Sequence, residues 1–166
     1  MKGRCTAFCL FAGIALGAGS ARAADAAPPP EASIKYRQAL MSAIGGDMAA
    51  IGDILKYGLP LRQNIATHAE NIERSASLIP SAFETRVVEG LTDAKPAIWE
   101  KPEDFKKKAE AMRDQAKKLA ELAQAGDPAA VGKQMKALGG ACGDCHDDYR
   151  KPKEESYKRR AGGGGD

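Results

Sequence analysis

The sequence predicts an all-α chain folded as an antiparallel four-helix bundle. Three observations predict it. Apolar residues recur at steps of three, four and seven in four separate segments, the period of an amphipathic helix. Prolines and glycines stand where those segments start and stop. No window alternates apolar and polar residues well enough to be a strand. Four helices that are each apolar on one stripe can bury those stripes only against each other.

The 166 residues suffice for one domain. Residues 1–23 read as a cleaved signal peptide. Lys2 and Arg4 make a basic start, "CTAFCLFAGIALGAG" is apolar but too short to span a bilayer, and Ala21 and Ala23 give an A-x-A cleavage site. An uncleaved anchor is the alternative, but no long apolar run follows the A-x-A. Export predicts a periplasmic protein without stable membrane insertion. Cleavage removes Lys2, Arg4 and Arg22 and no acid, which takes 25 basic residues to 22 against 22 acidic ones. The mature chain therefore lacks the basic excess that nucleic acid or anionic lipid would select. Cys5 and Cys9 leave too, so Cys142 and Cys145 are its only thiols.

Residues 24–32 form a Pro/Ala-rich flexible lead-in. The bundle domain follows over 33–152. In its first helix Ile34, Met41, Ile44, Met48, Ile51 and Leu55 make one stripe. The second helix runs roughly from 61 to 79, with Ile65, Ala69, Ile72, Ala76 and Ile79 on one side, and Pro80 ends or bends it. A long connection over about 81–101 holds the only tryptophan, Trp99. Long connections in compact domains tend to be functional, and "AIW" predicts an ordered one. The third helix starts after Pro102, carries Phe105, Ala109, Met112, Ala116, Leu119 and Ala123, and closes at Gly126. The fourth opens with Asp127 as N-cap and Pro128 at its first position. Its stripe is Val131, Met135, Leu138, Cys142, Cys145 and Tyr149. Residues 153–166 are a mostly flexible tail.

The fourth stripe carries the chemistry. In "CGDCHDDYRK" two cysteines stand three apart and His146 follows the second directly. C-x-x-C-H on a helix reads as covalent attachment of one haem c. Cys142 and Cys145 add to the two vinyl groups, and His146 directs its ring at the iron as proximal axial ligand. A zinc site needs further Cys or His ligands, and only His68 remains. A thioredoxin-like pair needs a βαβ setting, which the sequence lacks. No Ser/His/Asp or paired-carboxylate constellation stands out, so the sequence predicts a carrier and not an enzyme. Arg37 falls on the first helix's stripe, four before Met41 and seven before Ile44. A charge there needs a partner, and a haem propionate suits its two parallel donors. The alternative is an arginine reaching to water at the bundle end. Arg150, one turn after His146, either flanks the proximal face or is an ordinary cation at a helix C-terminus. His68, at the margin of the second stripe, reads as a partly exposed structural residue. Asp147 and Asp148 read as solvated surface.

"KYRQALM", "DAKPAIW", "DFKKKAEAM" and "CGDCHDDYRK", in that order, resemble segments of the cytochrome c′ family, the bacterial class II c-type cytochromes. The resemblance covers nearly the whole mature chain. It repeats the roles of Cys142, Cys145 and His146. It implies that Arg37, Gln38 and Asp93 contact the haem, and that Met41 stands over its distal face. Two outcomes stay open there. The Met41 sulfur binds iron, giving a low-spin electron carrier that works with redox partner proteins. Or Met41 only packs, leaving a five-coordinate iron that admits a small gas such as NO or CO. A homodimer through the first helix is a further tendency of the family.

Overall fold

The computed structural model describes residues 29–157 and residue 159. The predicted signal peptide and residues 24–28 of the lead-in lie outside that range. Six α-helices follow in order among the described residues: α1 (Pro30–Tyr57), α2 (Arg62–Ser77), α3 (Ile79–Ala82), α4 (Ala97–Glu100), α5 (Pro102–Ala125) and α6 (Pro128–Tyr149). One 3-10 turn, Lys153–Glu155, comes after them. The four long helices are the four read from the sequence, and α3 and α4 are single turns within the long connection.

Local chemistry sets the ends. Pro30 is preset for a first helical turn, so α1 takes in residues 30–32, which the sequence pattern assigns to the lead-in. Gly58 ends α1 in the left-handed region at φ 62°. Gly126 ends α5 in the same way at φ 82°. Asp127 caps α6 by accepting from the amides of Ala129 and Ala130 at 3.0 and 3.1 Å. Pro80 cannot donate to a continuing helix, so α2 stops at Ser77 and the chain restarts as α3.

The bundle is antiparallel. α1 packs on α2, α2 on α5, and α5 on α6. Ile51, Ile72, Leu119 and Leu138, one from each long helix, are the largest fully buried side chains. Each such burial contributes about 1.5–3 kcal/mol. In α1 the buried set is Ile34, Arg37, Leu40, Ile44, Ile51 and Ile54. Leu40 and Ile54 thus take core places, while Met41, Met48 and Leu55 are only half-buried. Met41 and Met48 pack on the edge of this core and also line a cavity. In α6, Gln134 is buried and donates to the Gln115 carbonyl at 3.0 Å and to Gln115 Oε1 at 2.7 Å.

The long connection is ordered. Trp99 donates its indole N–H to the Phe83 carbonyl at 2.6 Å. Phe83, Phe105 and Tyr149 stack edge to face, with centroids 5.1 and 5.2 Å apart. An isolated antiparallel bridge joins Ala94 to Arg150, and Lys95 N–H donates to the Tyr149 carbonyl at 2.9 Å. No helix among the described residues is long and apolar enough to cross a membrane.

Candidate haem site

The last two turns of α6 carry Cys142, Cys145 and His146, all half-buried. The three face a cavity of about 680 Å³. That lies within the roughly 300–1,000 Å³ usual for cofactor pockets. α1 supplies the wall across from them through Met41, Ile44 and Met48, and α5 adds Phe105 and Met112. Gly45, Gly139 and Gly143 also line it, with open space where a Cβ would stand. Bulk is left out where a flat ring would need room.

Arg37, Gln38, Met41, Asp93, Cys142, Cys145 and His146, the site residues predicted from the sequence, all line this one cavity. Their partners refine the picture. Arg37 is 4% exposed and already partnered. Its Nε donates to the Ala82 carbonyl at 2.8 Å, Nη1 to that of Val87 at 3.2 Å, and Nη2 to that of Thr85. Its guanidinium carbon sits 4.7 Å from the Phe83 ring centroid and 5.2 Å from that of Trp99. The buried charge is satisfied by the long connection. Gln38 donates to the Leu91 carbonyl at 2.7 Å. Both carboxylate oxygens of Asp93 accept from the chain after α6.

The electrostatics suit neutral sulfur and a neutral imidazole. Burial pushes the Cys142 thiol up and the Cys145 thiol to about 11. A thiolate is penalised there and an uncharged thioether is not. Burial first, and then the Arg150 charge, hold His146 below its ordinary range, with Asp147 opposing. An unprotonated ring nitrogen is what an iron ligand needs. Arg150 is exposed and also lines the cavity. Lys108 of α5 pairs with Asp148 at 2.8 Å, and Lys95 Nζ donates to the Asp147 carbonyl at 2.8 Å, so the His146 turn is braced from two sides. His68 does not line the cavity. Its Nδ1 stands 2.7 Å from Asp47 Oδ1, linking α2 to α1.

The family model for cytochrome C′ matches residues 32–150. This chain belongs to the cytochrome c′ family. Cytochrome c′ of Pararhodospirillum photometricum is 42% identical over 123 residues, covering 74% of this chain and 98% of that protein. The structure of cytochrome c prime from Shewanella frigidimarina superimposes with a TM-score of 0.70 at 29% identity, covering 76% of this chain and all of that one. A nitric oxide complex of a cytochrome c prime variant from Alcaligenes xylosoxidans does so with a TM-score of 0.67 at 31% identity, covering 74% and 97%. Proteins of the cytochrome c′ family bind haem c covalently, and the donor set and cavity of this chain fit that group.

Several cavity residues carry no functional signal in the sequence, Met112, Lys108 and Tyr157 among them. Met112 reads as ordinary core. Lys108 reads as surface on a charged helix. Tyr157 lies in a tail without periodicity, and its position depends on a contact with Asp93, 64 residues away.

Proposed function

We propose that this cytochrome c′ works in the bacterial periplasm as a one-electron carrier between redox partner proteins. Cys142 and Cys145 anchor the ring through thioethers. His146, on the same turn, would hold the iron through a ring nitrogen. Met41, on the α1 wall of the cavity, would offer its sulfur as the second iron ligand. Haem c bound in this way provides ferric–ferrous chemistry, with a potential raised by methionine–histidine ligation. The chain's own part is to anchor, to exclude water and to fix the ligands. Ile44, Met48, Phe105 and Met112 give the dry shell, and Arg37, Gln38 and Asp93 form its polar end. The observation that supports this reading is the presence of Cys142, Cys145, His146 and Met41 on the wall of one largely apolar cavity.

A second reading has Met41 as packing only, with the distal space taking NO or CO. The apolar lining and the nitric oxide complex of the Alcaligenes protein favour it. Optical spectra of the ferric and ferrous protein separate the two. A low-spin, six-coordinate spectrum that turns high-spin in Met41→Ala supports the carrier with methionine ligation. A high-spin, five-coordinate wild type removes Met41 as ligand and selects the gas-binding reading.

A further inference from the structure

We propose that residues 151–157 form a strap that closes one end of the haem cavity, and that Tyr157 is a further haem-contacting residue. The inference rests on the haem reading above. The segment lies beyond residues 32–150, the span that matches the family model. It leaves α6 through the bridge between Ala94 and Arg150. The Lys151 amide donates to the Asp93 carbonyl at 2.7 Å, and Lys151 Nζ donates to the Thr92 carbonyl at 3.2 Å. Pro152 is extended, and the 3-10 turn Lys153–Glu155 brings the chain back. Ser156 Oγ then donates to Asp93 Oδ2 at 2.8 Å, and the Tyr157 amide donates to Asp93 Oδ1 at 2.6 Å. Tyr157 ends on the cavity wall with Thr92, Asp93 and Arg150.

A chain terminus stays ordered only where contacts offset its conformational entropy. Here one carboxylate accepts two donors, and hydrogen bonds to a carboxylate are the strong kind. Asp93 is therefore a positioning residue. It holds the strap, and the strap delivers an aromatic ring with a polar tip to the edge of an apolar cavity. Closing that end lowers the exposure of the haem edge. Burial of a haem raises its potential and slows its reaction with solutes.

The test uses full-length protein matured in the periplasm, with haem c content measured on every sample by pyridine haemochrome. Amide hydrogen exchange in wild type should show Tyr157 protected about tenfold or more over a free peptide. Asp93→Ala, which leaves neither acceptor oxygen, should remove that protection. Tyr157→Ala should accelerate reduction of the ferric protein by ascorbate several-fold and lower its midpoint potential. Unprotected amides over 151–157 in haem-loaded wild type overturn the strap, as does unchanged exchange in Asp93→Ala. Equal reduction rates and potentials in wild type and Tyr157→Ala overturn the haem contact. A wild type without haem c overturns the haem reading itself and the Tyr157 contact with it.

Discussion

Tyr149 donates its hydroxyl hydrogen to Asp104 Oδ2 at 2.6 Å, which ties the last residue of α6 to the first turn of α5. The tie sits three residues beyond His146, so it steadies the turn that carries the proposed iron ligand. Burial, and then the Asp104 hydrogen bond, push the Tyr149 hydroxyl above its ordinary range, which keeps it a donor.

Tyr149→Phe should remove this bond and leave the ring packing against Phe105 intact. Asp104 is exposed and regains water. The loss should be about 1 kcal/mol, a fall of a few degrees in Tm. Thermal unfolding of the haem-loaded protein by circular dichroism checks it, and an unchanged Tm would count against the tie.

Arg37→Lys should destabilise the long connection although the charge is kept. One ammonium cannot reach the carbonyls of Ala82, Thr85 and Val87 together. Two hydrogen bonds lost among buried groups cost about 2 kcal/mol or more. Urea unfolding reads the total, and amide exchange over residues 82–92 should rise selectively. Equal stability of the lysine variant would show that the three carbonyls do not depend on the fork.

Asp127→Ala should cost about 1 kcal/mol through loss of the cap on α6. Asp127→Asn should restore most of it, because the amide oxygen accepts the same bonds. A urea midpoint that does not separate the two variants would show that the Ala129 and Ala130 amides are satisfied by water.

Cys142→Ala and Cys145→Ala should each keep haem through one thioether, and the double variant should lose it. Mass spectrometry after acid–acetone extraction distinguishes the three proteins. Haem retained by the double variant under those conditions would refute thioether attachment.

What could be read ahead of the structure follows from how local each cause is. Pro102, Gly126, Asp127 and Pro128 mark helix ends because the rules they obey span one turn, and all four stand where those rules put them. The C-x-x-C-H motif is equally local. Arg37 was visible as a misplaced charge, but its partners lie 45 to 50 residues away and no spacing points to them. The burial of Gln134 is illegible for the same reason, since its partner Gln115 lies across the α5–α6 seam. The apolar periodicity of α1 merges two faces into one stripe. Leu40 and Ile54 serve the core, Met41 and Met48 serve the cavity, and periodicity alone cannot separate two neighbouring apolar surfaces.

Three of the four seams between long helices close through side chains, α1 with α2, α2 with α5 and α5 with α6. The fourth does not, because α1 and α6 meet across the cavity. A porphyrin held there would be a strut as well as a reagent, and it would join α1 to α6. Cofactor loading and mechanical completeness of the domain become one event. A chain without its haem would leave α1 and α6 facing each other across an unfilled gap, so the cofactor would complete the packing as well as the chemistry.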